Sequence, residues 1–318
     1  MIRIGICGWG NLGRGAAAAV AQSGDMRLAA IFSRRADTLT DVPPDAAVFR
    51  TADAAAHAGE IDVLLLCGGS AADLPVQTPE LARHFHVADT FDTHASMEEH
   101  FRQTDAAARA AGHLALIGAG WDPGLFSLVR TAMHAILPDA VCRTLWGRGV
   151  SQGHSDAVRR IPGVADARAY TLPRPGALAA ARRGEGGVTP ASLHRRECLV
   201  VPEDGADTEA IAQAIRSMPH YFQGYETEIR FVAPHMFPRG DGALPHAGHV
   251  VAAGKNGTAE FSLSLPSNPA FTGAVLAACA RAVFRLAQAG ERGCRTAADI
   301  PLALLSPLPP EKLRQTLL

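Results

Sequence analysis

The sequence predicts an α/β fold, a doubly wound parallel sheet joined to a second α+β domain built on an open mixed sheet. Three observations carry this. The first third alternates short apolar runs with Ala-rich helical stretches, the texture changes after about residue 118 to longer extended segments, and a strong helical period returns near the C-terminus. In the first third, Ile2 to Cys7, Met26 to Phe32, Asp62 to Cys67, Val87 to Thr90 and His113 to Ile117 read as strands. Between them Asn11 to Gln22, Pro75 to His84 and Ser96 to Ala111 read as helices. Near-continuous apolar strands separated by helices mean strands buried on both faces, hence a parallel sheet.

Beyond residue 118, Trp121-Asp122-Pro123-Gly124 breaks the chain before an apolar helix that runs to Ile136. Extended stretches follow at Cys142 to Trp146, Ala165 to Leu172, His194 to Val201, Thr227 to Phe231, His249 to Ala253 and Thr258 to Leu265, with two or three helices among them. Pro269 to Ala289 is helical and the tail is Pro-rich from Pro301, while Arg174-Pro175-Gly176 and Gly184 to Gly187 read as loops. We therefore expect residues 1–118 to form a dinucleotide-binding domain, 119–269 a substrate-binding and dimerisation domain, and about 270–318 to return to the first.

Charge and composition bound the function. Thirty Lys+Arg against 31 Asp+Glu leave no field that would recruit nucleic acid. No uninterrupted apolar run approaches the roughly 20 residues of a membrane span, and the N-terminus lacks a secretory pattern, so a cytoplasmic protein is expected. The six cysteines, Cys7, Cys67, Cys142, Cys198, Cys279 and Cys294, are scattered without a C-x-x-C pair and read as reduced structural thiols.

Gly8-Trp9-Gly10-Asn11-Leu12-Gly13 satisfies G-x-G-x-x-G after a predicted strand and at the opening of a predicted helix, the context of a Rossmann-type dinucleotide site. Gly8 serves the tight turn, Gly10 the approach of backbone to pyrophosphate at the helix N-terminus, and Gly13 close helix-to-strand packing. The second strand ends at Phe32, followed by Ser33-Arg34-Arg35 where an NAD enzyme usually carries an acid. A hydroxyl and two guanidinium groups suit a 2'-phosphate, so the cofactor is expected to be NADP. Cys67-Gly68-Gly69-Ser70, after a central strand, is expected to let backbone pass close to the cofactor or simply to make a turn.

Two acids, Asp92 and Asp122, lie at later strand ends on the same expected rim. Side by side they would repel without a cation between them, and an ammonium substrate beside a nicotinamide would supply one. A lone acid there would read as a cap or turn former. His84 with His86, and His246 with His249, are too poorly supported by further ligands for a metal site, so none is expected. Ser70, Ser151 and Ser155 lack an elbow context, and no serine nucleophile is expected.

Several segments together are similar to the meso-diaminopimelate dehydrogenase family. They are Gly8 to Arg14, Phe32-Ser33-Arg34-Arg35-Ala36, Asp89-Thr90-Phe91-Asp92, Gly120-Trp121-Asp122-Pro123-Gly124, Trp146-Gly147 with Ser151 to Asp156, Arg159 to Val164, Tyr170-Thr171-Leu172-Pro173, and Leu244-Pro245-His246-Ala247-Gly248-His249. They run in order from residue 5 to about 270, and only the first is shared with dinucleotide enzymes at large. Residues 36–47 and the loop around Thr189 depart from the family pattern. The resemblance implies reversible, NADP-linked oxidative deamination at the D-centre of meso-2,6-diaminopimelate, giving L-2-amino-6-oxopimelate and ammonia, by a homodimer.

Residue by residue, the resemblance implies that Asp92 and Asp122 hold the reacting ammonium, with either as proton acceptor and His154 as a weaker candidate. Trp121 and Trp146 would wall the pocket, and Gln152 with Gly153 would receive the adjacent carboxylate. Thr171, Arg196 or its neighbour Arg195, His246 and Asn268 would hold the distal L-centre. Thr90, Phe91 and Gly120 would flank the cofactor. Gripping the non-reacting end is chemically sensible, because a substrate with two stereocentres is oriented only when both ends are held. The alternatives are an NADP oxidoreductase of the same build acting on a carbonyl or hydroxyl, which needs no acid pair, and a non-catalytic NADP-sensing protein.

Overall fold

The computed structural model describes residues 1–219, 221–238 and 245–318. Leu244, which opens one of the family-like segments, lies outside the described residues. The chain divides into two units, 1–128 with 269–318, and 129–268. The expected boundary near 118 thus falls about one loop and one helical turn early.

In the first unit, β1 is Ile2–Cys7, α1 Asn11–Ala21, β2 Met26–Ser33, β3 Ala47–Arg50 and β4 Val63–Leu66. Then follow α2 Leu74–Leu81, β5 Val87–Asp89, α3 Met97–Ala111, β6 Leu114–Leu116 and α4 Leu125–Ile136, which crosses the boundary between units. In the second unit lie β7 Val141–Trp146, β8 Gly149–Ser151, α5 Gln152–Arg159, β9 Val164–Pro173, α6 Ala177–Arg182 and α7 Pro190–Leu193. It continues with β10 His194–Pro202, α8 Thr208–Ser217, β11 Thr227–Phe231, β12 His246–Gly254 and β13 Gly257–Leu265. The chain closes with α9 Asn268–Gln288, β14 Gly293–Arg295 and α10 Pro310–Leu317.

The first unit's sheet is wholly parallel, in the order β14-β6-β5-β4-β1-β2-β3. Val63 to Leu66 are fully buried, as a central strand covered on both faces must be. One face packs Ile4, Ile6 and Leu65 against α1 and against Leu276 and Val283 of α9, and the other packs Phe32, Leu64 and Leu66 against Leu74 of α2 and Ala108 of α3. The helix α3 has Glu98 and Glu99 in its first turn, Arg109 in its last and Gly112 in the left-handed region at φ 73°, so charge and cap both match the helix dipole. The strand order reverses between β1 and β4, which makes their carboxyl ends the switch point where such sheets bind ligands.

Helix α9 is apolar and long enough to cross a membrane, but half of its apolar window is buried within the protein. It crosses α1 so closely that a Cβ on Gly273 would stand 2.4 Å from the Ala16 nitrogen, and one on Gly15 would stand 2.3 Å from the Pro269 carbonyl oxygen. Buried Arg281 of α9 also holds Asp25 at 2.6 Å. These contacts seat the C-terminal segment on the nucleotide sheet.

The second unit contains a mixed sheet, β11-β10-β9-β8, and an antiparallel one, β13-β12-β7. Val158, Ile211, Ile215 and Phe222 cover one face of the mixed sheet, while Leu145 and Val251 of the antiparallel sheet pack on Ala177 and Ala181 of α6. Three strands escaped the sequence reading: β3, β8 and β14. Each has three or four residues, too few to show a period. The second unit also has more short helices than expected, α5 to α8.

Candidate active site

Everything proposed for the cofactor sits on the first unit. Gly8 adopts φ 101°, and a Cβ there would stand 3.0 Å from the Cys67 carbonyl carbon, so the turn after β1 and the end of β4 meet only through a glycine. A Cβ on Gly13 would lie 2.1 Å from the Gly8 oxygen, the helix-to-turn packing expected of it. Gly10 faces open space and caps α1, whose first turn carries no acid, leaving Asn11 and Leu12 at an N-terminus ready for phosphate.

A cleft of about 420 Å³ runs from this turn past Ser33, Arg34 and Arg35 to Cys67, Gly68 and Gly69. The Ser33 hydroxyl accepts the Arg35 N–H at 3.1 Å, shaping the end of β2 so that both arginines stay exposed at the rim. Thr51, Asp73 and Gln77 also line the cleft and were missed. Asp73 accepts the Gly69 N–H at 2.9 Å and pairs with Arg34 at 3.2 Å. No local pattern marks it, since it meets Arg34 only through the fold. The donors, the glycine cradle and the acid-free helix start fit a dinucleotide phosphorylated on its adenosine ribose. Cys7 and Cys67 are free, and burial pushes both thiols up, Cys7 to about 11, so neither is a nucleophile at neutral pH.

The two acids follow β5 and β6. The Asp92 N–H donates to Ser70 Oγ at 2.9 Å, and that hydroxyl lies 3.2 Å from Thr93 Oγ1. Ser70, assigned to the cofactor from sequence, therefore also fixes the Asp92 loop. Asp92 keeps solvent access along part of its surface, yet protein crowds its carboxyl group. That loss of hydration is the main cause of its raised pKa; Ser70 and His94 oppose the rise, and the charge of Asp122 adds to it.

Asp122 sits half-buried in a tightly closed turn. Gly120 N–H donates to the Pro123 oxygen at 3.0 Å, Phe126 N–H to the Trp121 oxygen at 2.8 Å, and a Cβ on Gly124 would stand 1.8 Å from the Gly120 oxygen. Trp121 is buried with its ring edge-on to Phe126 at 5.2 Å.

The Phe91 ring is buried and stacked on His100 at 4.0 Å, which leaves its backbone for a ligand, while Thr90 is half-buried. Between these loops lies Asp89, fully buried, which the sequence reading quoted in a motif but gave no role.

The remaining candidates belong to the second unit. Arg196 and Thr171 are register partners on β10 and β9, and the Arg196 guanidinium donates to Thr171 Oγ1 and lies 4.2 Å over the Tyr225 ring. Arg196 is 5% exposed, its Nε has no hydrogen-bond partner among the described residues, and burial lowers its pKa against the opposing effect of Tyr225. Arg195, on the opposite face, pairs with Glu228 at 3.2 Å. The register therefore separates the two neighbours that sequence left open.

His246 is buried against Gly149, where a Cβ would stand 2.1 Å from its ring, and its Nδ1 accepts the Ala247 N–H at 3.0 Å. His249, an odd number of residues along β12, faces the other way and meets Glu260 at 3.0 Å. Trp146 ends β7, with its N–H donating to His194 Nε2 at 2.9 Å. Gln152 and Gly153 open α5, both exposed, and Asn268 opens α9. Burial, with Arg196 nearby, pushes His154 down to about 3, which makes it a poor proton acceptor.

Comparison with known proteins matches this arrangement to one family. Residues 120–267 match the Diaminopimelic acid dehydrogenase C-terminal domain. The chain is 48% identical to the meso-diaminopimelate D-dehydrogenase of Lysinibacillus sphaericus, covering 100% of this chain and 99% of that protein. It is 46% identical to the Corynebacterium glutamicum enzyme of the same name, covering 96% of each. A C. glutamicum DAP dehydrogenase solved in complex with DAP superposes with a TM-score of 0.94 at 44% identity, covering 100% of this chain and 99% of that one. An engineered D-amino acid dehydrogenase bound to NADP+ superposes at 0.92 with 43% identity, covering 100% and 99%. The chain belongs to the meso-diaminopimelate D-dehydrogenase family.

Proposed function

We propose that the protein catalyses the reversible, NADP-dependent oxidative deamination of the D-centre of meso-2,6-diaminopimelate to L-2-amino-6-oxopimelate and ammonia. The observation that carries this reading is the pair of acids, Asp92 and Asp122, on loops that leave the carboxyl ends of two strands of the dinucleotide sheet. A relative described as bound to DAP supports an amine as the substrate, and one described as bound to NADP+ supports the cofactor.

Bound NADP+ supplies the hydride acceptor. The chain orients it: the Gly8 to Gly13 turn and the start of α1 take the pyrophosphate, Arg34 and Arg35 the 2'-phosphate, and the backbone of Thr90, Phe91 and Gly120 flanks it. Asp92 and Asp122 bind the D-centre ammonium, and one of them accepts its proton, since the amine must be neutral before hydride leaves. Asp92 is the candidate acceptor, because its raised pKa makes it a stronger base than an ordinary carboxylate. Trp121 and Trp146 shield the reacting carbon, the first-turn amides at Gln152 and Gly153 take the adjacent carboxylate, and Thr171, Arg196, His246 and Asn268 take the distal L-centre.

The test is NADP+ reduction followed by absorbance with a panel of stereoisomers. Reduction with meso-diaminopimelate and none with the L,L form supports the proposal; equal rates, or no reduction with the meso form, overturn it. We further propose that the enzyme is a cytoplasmic homodimer. The six thiols and the exposed face of the terminal strand β13 support that reading, and sedimentation of the purified protein tests the dimer.

A further inference from the structure

One buried carboxylate ties together the two loops that carry the acids. Oδ1 of Asp89, the last residue of β5, accepts the Phe91 N–H at 3.0 Å and the Gly118 N–H at 2.9 Å. Its own carbonyl oxygen accepts the Ala119 N–H at 2.7 Å. Phe91 directly precedes Asp92, and Gly118 and Ala119 lead into the Gly120–Gly124 turn that presents Asp122.

Oδ2 of the same carboxylate accepts from Thr78 Oγ1 of α2 at 2.8 Å and from His100 Nε2 of α3 at 2.7 Å. The carboxylate side chain is wholly inaccessible and has four donors, as many as its oxygens take. Nε2 carries the proton it donates, and the other ring nitrogen, Nδ1, has no partner among the described residues. The His100 ring is fixed by stacking on Phe91 at 4.0 Å. No strand or helix ladder requires this arrangement, and a buried apolar residue would suffice for packing. What the carboxylate adds is a common origin for two loops, anchored in turn to two helices.

We propose that Asp89 is a positioning residue, which sets the separation of the Asp92 and Asp122 carboxyl groups by hydrogen-bonding the backbone of both loops, with Thr78 and His100 holding it in place. This rests on the assignment of the two acids to the substrate ammonium. Asp89 touches neither substrate nor cofactor. It acts through Asp92 and Asp122, and a displacement of about 1 Å at such groups costs on the order of a hundredfold in rate.

The test is a double-mutant cycle on the full-length enzyme. Asp89→Asn keeps the shape but replaces one acceptor by an amide donor, which faces either the loop amides or the Thr78 and His100 donors. We expect kcat/KM for the amino-acid substrate to fall by about tenfold, with the NADP+ dissociation constant changed by a smaller factor, less than about threefold, since none of the hydrogen bonds described for Asp89 runs to the Gly8–Gly13 turn, Arg34 or Arg35 and only backbone near Phe91 and Gly120 links it to the cofactor. In an Asp122→Asn background the same substitution is expected to cost less than about threefold, because one of the two carboxylates whose separation it sets is already gone.

Unchanged activity in Asp89→Asn, or the same factor in both backgrounds, overturns the proposal, as does a parallel loss of NADP+ binding. If Asp122→Asn alone leaves kcat/KM unchanged, the acid assignment fails and takes this proposal with it, a result the cycle reads separately. Should Asp89→Asn fail to fold, Thr78→Val, which removes only one donor, carries the same comparison with an expected loss of about threefold in the wild-type background alone.

Discussion

The guanidinium of Arg196 lies 4.2 Å over the ring of Tyr225, buried and with no carboxylate partner among the described residues. A buried charge held, among the described residues, by the Thr171 hydroxyl and by Tyr225 is a costly arrangement in the absence of an anion, and it suits a site that receives one. Arg196→Met is therefore expected to raise KM for meso-diaminopimelate about a hundredfold while leaving kcat/KM for D-amino acids without a second carboxylate within about threefold. The melting temperature should not fall, because the substitution replaces a desolvated charge by an apolar chain. Steady-state kinetics on both substrates and one melting curve check this, and a drop in stability would argue for a purely structural arginine.

The acid pair makes a second prediction. Asp122→Asn and Asp92→Asn are each expected to lower kcat/KM for the amine by about a hundredfold or more, with NADP+ binding little changed. Isothermal titration separates the two effects. Comparable losses in cofactor affinity would remove the acids from the substrate side.

The proposed cofactor preference rests on two exposed arginines, Arg34 and Arg35. Arg34→Ala and Arg35→Ala should each weaken NADP+ binding by about tenfold or more and leave NAD+ within about twofold, since only the 2'-phosphate distinguishes the two. The effect should shrink in high salt, as expected of charges so accessible to solvent. Equal weakening of both cofactors would place the arginines elsewhere on the dinucleotide.

Acid stability has an identifiable contributor. His86 Nδ1 accepts the Leu114 N–H at 2.9 Å, and burial, with His113 edge-on at 5.2 Å, pushes its pKa down to about 4. An unfolded histidine titrates near 6.5, so between those values the unfolded chain holds a proton that the folded one does not. Its contribution is complete above about pH 6.5 and is lost as pH falls towards 4. Thermal unfolding followed from pH 8 to pH 4 should show a shallower acid-side decline in His86→Asn than in the wild type; identical slopes would count against His86.

The crossing of α1 and α9 leaves no room for a methyl group. Gly273→Ala is expected to destabilise the protein by about 1–3 kcal/mol without changing the ratio of NADP+ to NAD+ affinity, because the Ala16 backbone 2.4 Å away cannot yield without shifting a helix. Chemical denaturation measures the loss.

Much of this was legible in the residues themselves. The parallel sheet announced itself in runs such as Val63 to Leu66, and the phosphate-binding turn in Gly8 to Gly13, because both patterns act over a few neighbouring positions with a fixed period or spacing. Ser33-Arg34-Arg35 declared a preference for a phosphorylated ribose through charge alone. Local sequence also marked Asp92 and Asp122 as acids at strand ends. Which of Arg195 and Arg196 faces Thr171 awaited the register of β9 on β10, since a shift of one residue exchanges the faces. The pairing of Asp73 with Arg34 and the four donors gathered by Asp89 likewise arise from chain segments brought together only by the strand order. Periodicity and composition are properties of neighbours along the chain, whereas a buried hydrogen-bond network depends on how distant segments close upon one another, and only folding decides that.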